Sequence, residues 1–499
     1  MYAASPQVWF AFALYLFITF ALAHLAHRRS RGGNFLEDFF VAGREIGPWV
    51  LALTWTATMA SGGTFIGVPA LAHTYGWPVM LWICSYMVVA TAGMGLLGKR
   101  VAEIGRRTGA LTFPDLLRDR FESRAIGVIS GVAVLILYTS YLVAQYIAGA
   151  RVIEAVLGVP YLWGVLAFAI TVSLYTVYGG FRAVAWTDSF QAMVMLGGVL
   201  LTGFFAVRKI GGLEAVYANL EAQSPEMLSL PGPDGFLPLP AAISFFCIWA
   251  LATAGQPSLV TRFLACRDSA SVKRASFLIG VYILLLYPTI ITIGIVGRAL
   301  VPNLEAADHA MPATILAAVP PMLAGFVLAA PLAAIMSTIS SFLLVSSSAI
   351  VRDLYQRNIE RPLTDAQARR WSRTATFAVT AAALTLAMRP PDFLQYIVIF
   401  SGTGLASTFF FPTLLAIYWP RMNTTGCLAG MLGGFLSFLL QYISFGTRSF
   451  GGFDPFVWSL LVSLACCLAA THGSQAPPRE LTERYFGEAT SKAHPHPRA

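Results

Sequence analysis

Charged residues are scarce in this sequence. Only 11% of its 499 residues are Asp, Glu, Lys or Arg, whereas 57% are hydrophobic. Because soluble domains carry about 25% charged residues, this shortage excludes a soluble enzyme or binding module. It predicts an all-α membrane protein that crosses the bilayer many times.

Side chains that bind metals or act as nucleophiles are also sparse. The 6 cysteines and 7 histidines show neither metal-ligand spacing nor a catalytic pairing. No group of acids, histidines and nucleophiles gathers at one membrane face, as an embedded enzyme would require. We therefore expect a protein that is not an enzyme, and we interpret the cysteines as small buried apolar residues.

Long apolar stretches are what the sequence has in abundance. A hydrocarbon core about 30 Å thick needs roughly 20 apolar residues in each helix, and thirteen stretches meet this requirement. The candidate spans are 8–27, 46–70, 77–98, 124–148, 159–177, 186–206, 239–260, 275–299, 320–349, 371–388, 393–419, 425–445 and 455–472.

Basic residues predict the orientation of these spans. If the loop after the first span is cytoplasmic, almost all of the 33 Lys and Arg lie on the cytoplasmic side. This bias predicts a multi-pass protein of the cell (inner) membrane, with the N-terminus outside and the C-terminus in the cytoplasm. The net charge of +9 then reflects topology and not nucleic-acid binding, and we expect no obligate protein partner. The outer side carries only Arg151, Arg208, Lys209, Arg298, Arg389 and Arg448.

Two spans contain residues that break helices. The second span includes TATMASGGTFIGVP, residues 56–69, and the seventh includes Gly255-Gln256-Pro257. Gly tolerates unwound backbone and Pro removes a helical N–H, so both helices are expected to break near the middle of the bilayer. Unwound backbone survives there only when it is buried in protein or lines a cavity. Two kinked helices with small residues at tight interfaces are the alternative.

The distance between the two breaks predicts an inverted repeat. They lie five spans apart, which is typical of transporters that hold substrate between two broken helices. The predicted division is 1–34, an N-terminal helix and basic loop; 35–206, the first repeat (spans 2–6); 207–238, an extracellular loop; 239–419, the second repeat (spans 7–11); 420–472, two C-terminal helices; and 473–499, a disordered cytoplasmic tail.

Hydroxyl side chains in the ninth span form a candidate cation site. Ser337 and Thr338 can bond back to carbonyls of their own helix, which is the simpler interpretation. Placed against an unwound segment, these hydroxyls, the Ala334 carbonyl and carbonyls freed near Ala57 and Ala60 would supply five oxygens. Hard cations prefer oxygen ligands, so no carboxylate is required.

Asp188 is a second candidate for ion handling. It lies in YGGFRAVAWTDSFQ, residues 178–191, at the predicted start of the sixth span. An acid at a helix N-terminus is stabilised electrostatically and needs no other role. At the mouth of a transport pathway, Asp188 would instead draw the cation toward the cytoplasm. Arg262, just beyond the second break, is expected to be a cytoplasmic anchor.

Several long motifs in order resemble the sodium:solute symporter family. They cover about residues 35–470 and are most similar to the family's sodium/pantothenate symporters. The resemblance implies a core of 5+5 inverted repeats of the LeuT type, alternating access, Na⁺ as the coupling ion and pantothenate as the expected solute. Another small carboxylate or an amino acid is the alternative substrate, and a channel or a solute sensor is the alternative class. The motifs include DFFVAGREIGPWVLALTWTATMASGGTFIGVP, LYTVYGGFRA, GQPSLVTRFLACRDSASVKR and LAAPLAAIMSTI.

The resemblance also implies site residues. The family's sodium ligands fall on the carbonyls of Ala57, Ala60 and Ala334 and on the hydroxyls of Ser337 and Thr338, and its functional aspartate falls on Asp188. One departure is the glycine pair at 62 and 63, where pantothenate carriers have small hydroxyl-rich residues. The implied substrate contacts are Ser61, Gly62, Thr64 and Phe65; Tyr141 and Gln145; and Trp249, Gln256 and Pro257.

Overall fold

The computed structural model describes residues 6–28, 35–252, 255–359, 363–390 and 393–487. Regular structure within these ranges is helical, and they contain no strand longer than a single bridge. The α-helices are α1 (Pro6–Arg28), α2 (Phe35–Val41), α3 (Pro48–Met59), α4 (Val68–Tyr75), α5 (Pro78–Cys84), α6 (Tyr86–Gly93), α7 (Lys99–Thr108), α8 (Phe113–Phe121), α9 (Arg124–Leu157), α10 (Tyr161–Ile210), α11 (Leu213–Gln223), α12 (Leu239–Ala252), α13 (Pro257–Leu264), α14 (Ser269–Leu300), α15 (Ala310–Ala318), α16 (Pro321–Ser348), α17 (Arg357–Ile359), α18 (Asp365–Ala387), α19 (Gln395–Tyr418), α20 (Thr424–Phe445), α21 (Pro455–His472) and α22 (Arg479–Phe486).

The described residues of the thirteen predicted spans are mainly helical, and residues 253 and 254 of the seventh span lie outside the described ranges. Eight helices in the described ranges are long and apolar enough to cross a membrane by themselves, and several other spans are divided into shorter helices. The structure therefore confirms a helical protein with many spans, whereas the count of thirteen and the orientation of the termini stay predictions.

The second predicted span is broken, as the sequence indicates. Helix α3 ends at Met59, and Ala60 follows with an extended ψ of 103°. The chain then forms a π-helical turn, Gly63–Gly67, before α4 begins. The backbone leaves the helix at Ala60 and not at the glycine pair, because Gly62 itself has helical dihedral angles.

The seventh predicted span is broken as well. Helix α12 ends at Ala252, and Gln256 has extended dihedral angles of φ −90° and ψ 117°. Helix α13 begins at Pro257, where a missing N–H costs nothing because the first turn of a helix has no internal acceptor for it. All eight residues of α13 are buried.

The fifth and sixth predicted spans form one element, α10, with a kink at Gly180. Gly180 has φ 59° and ψ −174°, and a Cβ there would lie 2.7 Å from Cδ2 of Phe39. Only glycine meets both constraints. Asp188 consequently lies well inside helical structure, so its interpretation as an N-terminal cap was wrong.

Helix α16 lies at the centre of the helical assembly. Its residues from Val327 to Ser348 are all buried, and it packs against α1, α3, α9 and α10. Small residues such as Ala333, Ala334 and Ser337 let neighbouring backbones approach closely. The hydroxyl pair predicted to bind a cation is therefore far from bulk water.

The tail from residue 473 was predicted to be disordered, which is wrong for its first part. Helix α22 folds back against helix α8, with Tyr485 only 1% exposed. The buried guanidinium of Arg120 lies over the rings of Phe121, Tyr485 and Phe486, at 4.9–5.5 Å from their centroids. These cation–π contacts hold a short polar helix that has little stability of its own. Residues 488–499 lie outside the described part of the chain.

Candidate functional site

The predicted cation ligands meet where the first broken helix touches α16. The Ser337 hydroxyl lies 2.8 Å from the carbonyl oxygen of Ala57 and 2.9 Å from that of Ala334. The Thr338 hydroxyl donates to the same Ala334 carbonyl at 2.9 Å. The fifth residue, Ala60, is fully buried and lies at the end of α3, where its extended ψ directs its carbonyl away from the helix.

This group of oxygens has the composition of a site for a hard cation. Its members are neutral carbonyls and hydroxyls, which suit a monovalent ion without the cost of burying a carboxylate. The hydroxyls donate protons to the carbonyls that would join them as ligands. A cation at this point would replace these hydrogen bonds and would still connect α3 to α16.

Asp188 forms a buried ion pair with Arg262. Its Oδ2 lies 2.9 Å from Nη2 of Arg262, and the two side chains are 0% and 1% exposed. The Thr54 hydroxyl donates to the same Oδ2 at 2.6 Å. The other carboxylate oxygen, Oδ1, is buried without a hydrogen-bond partner among the described residues.

Arg262 connects four helices near the cation-site oxygens. Its Nε donates to the carbonyl oxygen of Thr54 on α3 at 3.1 Å, and its Nη1 donates to that of Ser258 on α13 at 2.9 Å. Its Nη2 also donates to the hydroxyl of Ser341 on α16 at 2.7 Å, one turn beyond Ser337. The interpretation of Arg262 as a cytoplasmic anchor was therefore wrong.

Backbone near the first break is satisfied by side chains of α9. The Gly62 N–H donates to Oε1 of Gln145 at 2.8 Å, and the Ser61 hydroxyl lies 3.3 Å from that of Tyr141. The Thr64 hydroxyl accepts from the Ser61 N–H at 3.3 Å. The Nε2 of Gln145 is buried without a hydrogen-bond partner in the described structure.

Close packing explains why glycines follow Ser61. A Cβ on Gly62 would lie 2.6 Å from the Cβ of Ala148 and 2.9 Å from Oε1 of Gln145. A Cβ on Gly63 would lie 2.7 Å from Oε1 of Gln395. Helices α9 and α19 thus confine the segment from both sides, and a hydroxyl side chain at either glycine would collide with them.

Gln395 is a site residue that sequence reasoning missed. It lies in the first turn of α19, is 1% exposed and has an Oε1 with no hydrogen-bond partner in the described ranges. An amide inside a predicted span is a signal worth following, since it must find partners in the bundle or a cavity. Its position near the predicted end of that span concealed this signal.

A small cavity lies at the second break, where Gln256 lines it. Its volume of about 10 Å³ is room for about one water molecule. Trp249 stacks on Tyr86 with ring centroids 4.6 Å apart, whereas Phe65 and Pro257 are buried in the packing around the breaks. The lining residues are Tyr141, Ile248, Trp249, Gln256, Val398, Ile399, Gly402 and Thr403.

A larger cavity, the outer vestibule, lies on the side predicted to be extracellular. Its volume is about 130 Å³, and Ile399 lines both this vestibule and the small cavity. Tyr396, Ile399 and Thr403 are spaced three and four residues apart, so one face of α19 extends from the vestibule to the small cavity. This face therefore connects the vestibule with the residues of the small cavity.

Two broken helices beside buried polar groups are typical of a secondary transporter of the LeuT type. A solved structure of a Na⁺-coupled sialic acid symporter, in a substrate-bound outward-open state, has the same fold. It superposes with a TM-score of 0.79 at 18% identity and covers 95% of this chain and 99% of that chain. The predicted fold class, an all-α membrane protein with a LeuT-type core, is confirmed.

Sequence comparison identifies the family. The model of the sodium:solute symporter family matches residues 39–434, and the chain belongs to this family. The sodium/pantothenate symporter of Escherichia coli (strain K12) is 33% identical over 468 residues, which are 93% of this chain and 96% of that protein. The sodium/proline symporter of the same organism is 30% identical over 512 residues, which are 96% of this chain and 100% of that protein. Sodium as the coupling ion is confirmed at the level of the family.

Proposed function

We propose that this protein imports pantothenate together with sodium by alternating access. The observation that carries the proposal is the group of oxygens at Ala57, Ala334, Ser337 and Thr338, which joins one broken helix to α16. The small cavity at the other break supports it. A secondary transporter needs an ion site and a solute site that share moving elements, and helix α3 with its break belongs to both. The similarity to the sodium/pantothenate symporter supports the choice of solute.

Sodium binds, in this proposal, to the carbonyls of Ala57, Ala60 and Ala334 and to the hydroxyls of Ser337 and Thr338. The ion ties α3 of the first predicted repeat to α16 of the second. A ligand shifts an equilibrium toward the conformation that it binds better, so sodium favours the state in which these helices touch. Solute that binds beside the same break then binds more tightly when sodium is present.

Asp188 serves sodium release toward the cytoplasm. In the described state its charge is neutralised by Arg262, which lies on the broken helix α13. When α13 moves away, the carboxylate loses its partner and becomes an attractive stop for a departing cation. Sodium thus replaces the Arg262 guanidinium beside Asp188. Release of sodium therefore depends on the conformational change that removes Arg262.

Neutral groups hold the solute. Gln145 offers an amide N–H₂ without a partner, Tyr141 offers a hydroxyl, and Gln256 lies at the second break. Pantothenate carries hydroxyls, an amide and a carboxylate, all of which accept such donors. The flat ring of Trp249 covers the apolar part of the solute.

The energetics constrain the stoichiometry. One charge that moves down 100 mV gains about 2.3 kcal/mol, and a tenfold sodium gradient adds about 1.4 kcal/mol. Pantothenate is a monoanion, so cotransport with one sodium ion is electroneutral and gains only the second contribution. Electrogenic uptake would require another cation to travel with the solute.

Uptake of radiolabelled pantothenate into proteoliposomes tests the proposal. Purified protein is reconstituted, and an inward sodium gradient is compared with an inward potassium gradient. We expect accumulation only with sodium, saturation at carrier turnover rates and inhibition by unlabelled pantothenate. Absence of uptake, while sodium still raises the thermal stability of the protein, would contradict pantothenate and leave the sodium symporter intact.

An amino acid is the second candidate substrate, because the sodium/proline symporter matches nearly the whole chain. The same vesicles distinguish the candidates when excess unlabelled proline competes with labelled pantothenate. Inhibition by proline, with sodium-dependent uptake of labelled proline, would favour the amino acid. If proline does not inhibit uptake of labelled pantothenate, pantothenate stays the proposed substrate.

A further inference from the structure

The outer vestibule has an exposed mouth and a buried floor. Asp234 and Arg448 are exposed at the mouth, on the loops 225–238 and 446–454. Asp454 lines the same cavity and is only 7% exposed, beside the buried Ile399. Any solute that reaches the small cavity by way of Ile399 passes this carboxyl group.

Arg448 joins the two loops at the mouth of the vestibule by hydrogen bonds. Its Nη2 donates to the carbonyl oxygens of Gly235 and Phe236 at 3.1 and 3.2 Å. The ring of Phe236 in turn stacks on Tyr75 with centroids 3.9 Å apart. The guanidinium therefore fastens one loop to the other, and no ion pair joins it to Asp454 in the described ranges.

Asp454 is a buried acid that forms no ion pair with any residue that the structure describes. Its Oδ1 caps helix α21 by accepting from the Phe456 N–H at 2.8 Å, and its own N–H donates to the Ser244 hydroxyl of α12 at 2.9 Å. Burial away from a cation disfavours the charged carboxylate. Burial raises the pKa of Asp454 to about 7, only partly opposed by the Phe456 hydrogen bond.

The groups that face Asp454 do not replace a counterion. Tyr442 of α20, Tyr75 of α4 and Tyr396 of α19 are phenols that stay neutral near pH 7, and α12 contributes the uncharged Ser244. The loops contribute Asp234 and Arg448, which have opposite charges at the mouth. With the carboxyl protonated, the charges that line the vestibule cancel; with it ionised, one negative charge remains.

We infer that Asp454 is a proton-binding site of the outer vestibule, where the neutral carboxyl admits an anionic solute that the carboxylate repels. The inference rests on the proposed function for the anionic charge of the solute. A zwitterionic amino acid carries no net charge and is affected far less. The site thus makes uptake of a carboxylate favourable at acidic external pH without a role in sodium coupling.

The first experiment measures KM for pantothenate in proteoliposomes at saturating sodium, with external pH varied from about 6 to about 8, where the solute stays anionic. We expect the KM of the wild type to rise about tenfold across this range. Asp454→Asn keeps the helix cap and should have a low, constant KM. The matched variant Asp234→Asn, changed at the exposed mouth, should keep the pH dependence. A wild-type slope in Asp454→Asn, or a flat wild type, overturns the inference.

The second experiment needs no transport. In pH-difference infrared spectra of the purified protein, we expect a carboxyl C=O band that titrates with a midpoint near 7 and is missing from Asp454→Asn and Asp454→Ser. If no solute is taken up but this band is present, the proposed function fails and the proton site stands. If uptake is normal but no such band exists, the proton site is refuted.

Discussion

The two broken helices look equivalent in the sequence but are connected to the rest of the molecule by different chemistry. The first break is held by neutral groups: Ser337 reaches Ala57, and Gln145 accepts from Gly62. The second leads into α13, whose Arg262 forms an ion pair with Asp188 at zero exposure. Both sets include contacts to α3 and α16. Arg262 contacts Thr54 and Ser341, about one helical turn from Ala57 and Ser337.

This difference separates two tasks that a symporter performs. Hydrogen bonds between neutral groups can be replaced by contacts to a cation, so we expect the first break to bind sodium reversibly. A buried ion pair separates only when water reaches both charges. We therefore expect the ion pair at the second break to separate only in a conformation that admits water to both side chains.

Loss of the charged contact should have the largest effect. Arg262→Gln leaves Asp188 buried without its partner, and we expect the free energy of unfolding to fall by about 3–5 kcal/mol. Thermal unfolding in detergent measures the change. Arg262→Gln with Asp188→Asn removes both charges and should recover much of the stability. A double variant that is less stable than Arg262→Gln would show that the two residues do not form a functional pair.

Removal of the neutral contact should leave the fold intact and greatly weaken the activation of uptake by sodium. Each hydroxyl ligand contributes about 1.5 kcal/mol to a bound ion, so Ser337→Ala with Thr338→Ala should raise the sodium concentration for half-maximal uptake about a hundredfold. Ser340→Ala is the matched control, because among the described residues that hydroxyl bonds only the Ser337 carbonyl of its own helix. Normal sodium activation in the double variant would refute the site.

A methyl group at the first break should have an intermediate effect. Gly62→Ala places a carbon 2.6 Å from the Ala148 Cβ, and we expect a loss of about 1–3 kcal/mol in the free energy of unfolding. Gly197→Ala on α10 is the control, because its Cβ would meet nothing within 4 Å. Gly62→Ala combined with Ala148→Gly should restore stability; equal losses in both glycine variants would argue against close packing.

The smallest effect concerns the solute. Gln145→Ala removes the amide that faces the first break, and we expect KM for the solute to rise about tenfold, the equivalent of one hydrogen bond. Gln441→Ala removes a buried amide of α20 that contacts Ser437 and Ser459 instead. If the two variants have the same KM, Gln145 contributes to packing alone.

Local chemistry made both breaks predictable. Gly, Pro and hydroxyl residues inside apolar runs indicate unwound helix wherever they occur, and the breaks lie at Ala60 and Gln256. The sodium ligands on α16 also followed from the sequence, through the family resemblance and through the oxygen preference of hard cations. The structure brings Ala57, Ala334, Ser337 and Thr338 together, although their role as ligands stays a prediction.

Tertiary partners explain what the sequence concealed. Arg262 near the end of a span looks like an interfacial anchor, because its partner Asp188 lies 74 positions away in the chain. Helix α22 is short and polar, and only the rings around Arg120 reveal why it docks. The fifth and sixth predicted spans are continuous in α10, because the non-helical conformation of Gly180 changes the chain direction without a separate loop.

A parallel bridge joins the chain just before α3 to the chain just after α13. Ile46 precedes α3 and donates to the Ala265 carbonyl at 3.2 Å, while the Arg267 N–H returns to the Ile46 carbonyl at 3.0 Å. Arg262 fastens α13 to Thr54 further up the same helix. Two attachments, one through the backbone and one through a side chain, thus join α3 to α13. We therefore expect the two helices to move together when the protein changes conformation.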